Sequence, residues 1–111
     1  PAGLLAAARS EAEKVHVADA LYDYVLDIAL ATRESPGIAL GLSTRGALAL
    51  VRATRIAAGI RGSDYATPDD VKLVAPWIIA HRLALRAEAA LEGRTDRDMV
   101  AAVLAQVAVP R

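Results

Sequence analysis

With no phenylalanine and only four aromatic residues, Tyr22, Tyr24, Tyr65 and Trp77, this chain of 111 residues has to fill its interior with alanine and aliphatic side chains. All-β folds lean on aromatic and β-branched residues, whereas alanine has the highest helix propensity. The composition therefore points to an all-α fold, which the helices read along the chain make a small bundle of about five. Length and a 55% hydrophobic content fit one domain over residues 1–111 with a modest core.

Charge and special residues narrow the function classes. Lys plus Arg and Asp plus Glu balance at 13 each, so no overall field steers the chain to nucleic acid or to an anionic membrane. The lack of cysteine excludes disulfides and thiolate metal sites and agrees with a reducing, cytoplasmic setting. Pro1-Ala2-Gly3-Leu4-Leu5 has no basic residues of an export signal, and arginines interrupt every apolar run before the roughly 18 residues a bilayer needs. A chain that opens on Pro1 reads as a domain cut from something longer.

The periodicity predicts a short alanine-rich helix over about Gly3–Lys14, then an extended connection Val15-His16-Val17. A second helix covers Asp19–Arg33, with Leu21, Tyr24, Val25, Ile28 and Thr32 on one face and Asp19, Asp23 and Asp27 on the other; Ser35-Pro36-Gly37 ends it. The third, Thr44–Ile60, has so wide an apolar surface that it is expected at the centre of the bundle, and Arg61-Gly62 stops it. Thr67 caps a fourth helix that starts at Pro68 and reaches about Leu83, with Pro76 expected to kink it or split it in two. Leu83–Leu91 is ambiguous, an extended strand being one reading. A last helix spans Asp96–Val107, and Val109-Pro110-Arg111 reads as a tail.

One helix start breaks a rule that the others keep. The first backbone N–H groups of a helix are unpaired and carry the positive end of the dipole, which favours acids there by about 0.3–1 kcal/mol. Thr67-Pro68-Asp69-Asp70 and Thr95-Asp96-Arg97-Asp98 follow that rule, each with a hydroxyl cap and an acid three residues later. Ser43 is followed by Thr44, Arg45 and Gly46 instead. A capped, dipole-positive helix end with a guanidinium and no acid suits an anion such as phosphate. Arg45 and the capping Ser43 are thus candidate site residues, although the residues alone leave that open.

Other groups have plainer explanations. Capping accounts for the acid pairs Asp69/Asp70 and Asp96/Asp98, and a solvated face accounts for Asp19, Asp23 and Asp27. His16 and His81 lie far apart without cysteines or an HExxH spacing, so no metal site and no catalytic triad is assigned. His81-Arg82 near a helix end complements its dipole. Arg52 and Arg55 continue the stripe of Arg45, as solvated surface or as partners of neighbouring acids.

Three spaced segments carry a family likeness. Arg33-Glu34-Ser35-Pro36 through Leu40-Gly41-Leu42-Ser43-Thr44-Arg45, then Arg61-Gly62-Ser63-Asp64-Tyr65-Ala66-Thr67-Pro68-Asp69-Asp70-Val71, then Ala75-Pro76 with His81-Arg82-Leu83, together resemble the C-terminal lid domain of MoxR-type AAA+ ATPases. Glu92-Gly93 through Val109-Pro110 also fits. Leu42 and Thr44 depart from the small residue and the proline of the family's phrase, and Ser63 from a common basic residue.

The resemblance implies that Arg45 is the sensor 2 arginine, which contacts the γ-phosphate of ATP across a cleft between lid and nucleotide-binding core, with Ser43 capping the helix at that cleft. It further implies ATP and Mg2+ in the parent protein, a core elsewhere in the same chain, a hexameric homo-oligomeric ring, and chaperone-like maturation of client enzymes alongside proteins with von Willebrand factor A domains. The chain itself has no GxxxxGK[ST] loop, so alone it is expected to bind no nucleotide and to be inactive. The rival reading is a small helical module that binds DNA or a protein through Arg45, Arg52 and Arg55. Salt-dependent affinity for duplex DNA is the signature of that rival.

Overall fold

The computed structural model describes residues 13–35, 37–85 and 87–110, without the side chains of residues 39 and 81. Among them are five α-helices, α1 (Asp19–Glu34), α2 (Thr44–Ile60), α3 (Pro68–Ile79), α4 (Ala87–Leu91) and α5 (Asp96–Gln106). A 3-10 turn (Ala80–Arg82) follows α3, and two short strands, β1 (Ile38–Leu40) and β2 (Ala84–Leu85), pair antiparallel. The fold is the helical bundle that the composition predicts. Of the first predicted helix, residues 3–12 lie outside the described residues, as do Pro36 of the turn after α1 and Arg111 of the tail.

Periodicity places the core correctly on α1, whose buried face is Leu21, Tyr24, Val25, Ile28, Ala29 and Thr32. It meets Leu50 and Val51 of α2, Val71, Ala75 and Ile79 of α3, and Met99, Val100 and Val103 of α5. Each fully buried aliphatic side chain in this set contributes about 1.5–3 kcal/mol by leaving water. The Val15-His16-Val17 connection is extended, as expected. His16 exchanges backbone hydrogen bonds with the α2–α3 loop, its N–H to Asp64 O at 2.8 Å and its C=O from Ala66 N at 2.9 Å, while Val15 and Val17 are buried.

Two features of the helices differ in detail from the sequence reading. α3 runs through Pro76 as one helix and ends at Ile79, where the chain tightens into the 3-10 turn. Pro76 brings no N–H, so the Lys72 carbonyl loses its helical partner. The helix nevertheless continues past Pro76 and is not split into two. α2 packs on α1 and along α3, and buries Gly46, Ala47, Leu50, Val51, Thr54 and Ala58. Its broad apolar surface is not fully covered by the described residues, however. Leu48 and Ile56 are exposed and Ile60 is 82% exposed.

The ends of α2 follow from capping. At its C-terminus Gly62 takes a positive φ of 83°, Ser63 N–H reaches Ala58 O at 3.0 Å and Gly62 N–H reaches Gly59 O at 3.0 Å. These are the two bonds of a Schellman motif, which requires the left-handed residue that glycine supplies without strain.

Tyr24 is the exception in the core. The residue is 1% exposed, and its hydroxyl has no hydrogen-bond partner among the described residues. Burial first, and the charge of Asp69 second, push its ionisation above the usual tyrosine range. Tyr24→Phe removes a buried, unpaired hydroxyl and keeps the ring. It is expected to leave stability unchanged or to raise it by about 1 kcal/mol, read as the urea midpoint of unfolding. A loss of similar size would mean that the hydroxyl is satisfied in solution.

Candidate anion site at the start of α2

The start of α2 is fixed from behind by α1. Thr32, fully buried on α1, donates its hydroxyl to Ala29 O at 2.6 Å and accepts Leu42 N–H at 2.8 Å. Leu42 is itself fully buried. Arg33 donates Nε–H to Leu42 O at 3.1 Å, and its backbone lies so close to Gly41 that any Cβ there would sit 2.7 Å from Arg33 N. Both polar groups of Leu42 are thereby satisfied, and the turn into α2 is held from its two sides. This explains the departure at position 42: here the side chain is a core plug.

Ser43 then caps the helix, its Oγ accepting Gly46 N–H at 3.1 Å. No acid stands in the first turn, whereas α3 and α5 each begin with a complete capping box and two acids. The asymmetry read from the sequence is present in the fold. Arg45 is exposed and, among the described residues, its guanidinium has neither a hydrogen bond nor a salt bridge.

The ribbon brings a further arginine to the same place. Register Ile38↔Leu85 and Leu40↔Ala84 ties the segment before α2 to the segment after the 3-10 turn. Arg82 thus crosses the first turn of α2, its Cδ 3.2 Å from where a Gly46 Cβ would stand. Its Nη1 donates to Ile78 O at 2.7 Å. The dipole-complementing role of Arg82 therefore holds, while its approach to Gly46 has no sequence signal, because it depends on two strands of three and two residues.

Gly46 is where that packing can be tested. A Cβ would collide with Leu42 Cδ1 and crowd Arg82. Alanine gains about 1 kcal/mol of helix propensity over glycine, but overpacking costs about 1–3 kcal/mol, so Gly46→Ala is expected to be neutral to destabilising. A clearly raised unfolding midpoint would show that Leu42 yields freely.

The remaining candidates resolve into structure. Asp70, 4% exposed, accepts Arg61 Nη2 at 2.9 Å, Arg61 Nε at 3.1 Å and Thr67 N–H at 2.9 Å. Asp98 accepts Thr95 N–H at 2.9 Å, and the Thr95 backbone and hydroxyl hold its carboxyl below the usual range. Asp19, Asp23 and Asp27 are exposed. Among the described residues no group of His, Cys, Asp and Glu could hold a metal, and no helix is long and apolar enough to cross a membrane. The arginine stripe is divided: Arg52 is exposed, but Arg55 is turned inward and donates Nη2–H to Tyr22 Oη at 2.7 Å. An apolar pocket of about 350 Å³ lies between α3 and α5, lined by Pro76, Trp77, Ala80, Thr95, Asp96 and Arg97, with the Arg97 guanidinium 4.4 Å over the Trp77 ring.

Comparison with known proteins matches residues 30–103 to the family described as the AAA lid domain. The chain is 35% identical over 100 residues to the uncharacterized protein YeaC of Bacillus subtilis, covering 90% of this chain and 31% of that protein. It is 35% identical over 101 residues to the chaperone MoxR1 of Mycobacterium tuberculosis, covering 83% of this chain and 27% of that one. A crystal structure of a candidate ATPase from Cytophaga hutchinsonii superposes with a TM-score of 0.85 at 32% identity, over 92% of this chain and 34% of that one. The chain thus spans about a third or less of each of these relatives.

Proposed function

This chain belongs to the AAA lid domain family, as a lid of the MoxR type, and on that premise we propose that it supplies Arg45 to the ATP site of a longer ATPase and couples hydrolysis to lid motion. The observation that carries the proposal is the state of Arg45: an exposed guanidinium without a carboxylate, at a capped helix start that lacks acids. In a cleft closed by the core, Arg45 donates to the terminal phosphate, and Ser43 keeps the first turn of α2 in order beside it.

The core, outside this chain, supplies the phosphate-binding loop and holds Mg2+, which neutralises charge on the β- and γ-phosphates. Arg45 acts as a reporter. While the γ-phosphate is present its charge holds lid and core together; once the phosphate leaves, that interaction is lost and the population shifts to an open lid. Because α2 packs on α1 and α3, a displacement at Arg45 is passed to the rest of the lid. In a homo-oligomeric ring, hexameric by family resemblance, that motion passes to neighbouring subunits and to a client. The name of the mycobacterial relative, a chaperone, supports a chaperone-like role; maturation of client enzymes alongside von Willebrand factor A domain proteins, in the cytoplasm, follows from the family resemblance alone.

The rival recognition stripe loses one member, since Arg55 is engaged with Tyr22, and the balanced charge gives it no supporting field. The test is ATP turnover by the complete protein carrying Arg45→Ala. Loss of turnover with the lid still folded supports the reading, and unchanged turnover removes Arg45 from the site.

A further inference from the structure

Three arginines from three separate segments have a contact at or beside the start of α2, or stand in its first turn. Arg33 stands in the last turn of α1 and is tied by Nε to Leu42 O; Arg45 stands in the first turn of α2; Arg82 ends the 3-10 turn and its stem lies against Gly46, the next residue after Arg45. None of the three forms a salt bridge among the described residues. A cation beside a helix start without an acid is disfavoured by the helix dipole.

Arg33 and Arg82 differ in what they have to offer. The bond from Arg33 Nε to Leu42 O explains its place, because it secures the turn. Arg82 is anchored at one nitrogen only, Nη1 on Ile78 O, and its stem passes over a position where only glycine leaves room. A guanidinium has five N–H donors in a fixed plane, so one anchored donor orients the group and leaves the others for a ligand. The β1–β2 register sets the place of the segment it leaves, and the anchor reduces the entropy lost on engaging an anion.

We propose that Arg82 is a second phosphate-contacting residue, which engages the terminal phosphate of a nucleoside triphosphate together with Arg45. The proposal rests on the reading of Arg45 given above. It makes the site a two-armed clamp: one arm from the helix start, the other from the segment after α3. Loss of the terminal phosphate then releases two parts of the lid at once.

The experiment uses the complete protein and two probes, a non-hydrolysable ATP analogue and ADP, with Arg82→Gln, Arg82→Ala and Arg45→Ala compared side by side. Glutamine keeps the stem as far as Cδ over Gly46 and an uncharged side-chain donor, so Arg82→Gln is the milder variant if Arg82→Ala perturbs the fold. Removing one charge-assisted hydrogen bond should weaken binding of the analogue by about tenfold while ADP affinity changes by less than about twofold. A structural role alone would lower the melting temperature and move both nucleotides together. Equal losses for both probes, or none, with Arg82→Gln overturn the proposal. If Arg45→Ala still loses selectivity for the triphosphate in that case, the reading of Arg45 survives. If neither variant loses it, both fall.

Discussion

Arg45→Ala in the complete protein is expected to lower ATP turnover by about a hundredfold or more, the usual effect of removing a preorganised donor from developing charge. The same substitution is expected to leave the fold intact or slightly more stable. Arg45 is exposed and without a partner among the described residues, so no contact is broken. Removing a cation from a helix N-terminus is favourable by about 0.3–1 kcal/mol. Activity and stability thus move in opposite directions, which few substitutions outside a functional site would produce. Arg45→Lys separates charge from geometry: a point charge in place of the planar fork should recover part of the turnover. Steady-state kcat and thermal melting measured on the same preparations check the pair. A fall in both would assign Arg45 to folding, and constancy of both would sever it from the nucleotide.

The expected sign of that stability change was legible in the sequence because it depends on local chemistry. Caps and first-turn acids are fixed by spacings of three residues, and the boxes at Thr67 and Thr95 form as read. The face of α1 was legible for the same reason, since it repeats one period over several turns. What periodicity could not give is the company Arg45 keeps. Arg33 reaches Leu42 across nine residues and Arg82 reaches Gly46 through a ribbon of two strands. Strands this short carry no readable alternation, and β1 was seen only as part of a phrase.

Thr32 shows the intermediate case. Its place on the apolar face of α1 was visible, but its use, accepting Leu42 N–H at 2.8 Å, appears only when the chain folds back. α2 shows the opposite failure. Its wide apolar surface suggested cover on several sides, yet Leu48, Ile56 and Ile60 are exposed in this chain. Hydrophobicity records what a helix can bury, and this chain spans no more than about a third of each relative it matches.

Asp70→Ala should cause the largest loss of stability of any substitution considered for this domain, about 3 kcal/mol, and lower the melting temperature by roughly 10 °C or more. One carboxylate does three things at once: it closes the capping box of α3 by accepting Thr67 N–H, it accepts the Thr67 hydroxyl at 3.1 Å, and it takes two bonds from Arg61 just past the end of α2. α2 and α3 are therefore joined through it. Burial alone would raise its pKa, but the Arg61 guanidinium and the Thr67 backbone and hydroxyl outweigh burial and hold it below the ordinary carboxylate value. Since the folded pKa lies below the unfolded one, this stabilisation is fully present above the unfolded value, about 3.9, and is lost as pH falls through the folded one. The gap in stability between wild type and Asp70→Ala should thus be constant from about pH 7 to pH 5 and narrow below that. Chemical denaturation at a series of pH values measures it, and adding Arg61→Ala isolates the ion pair, because the second loss should be much smaller in the Asp70→Ala background. A gap unchanged down to about pH 2 would mean that side-chain volume, rather than the carboxylate charge, joins the two helices.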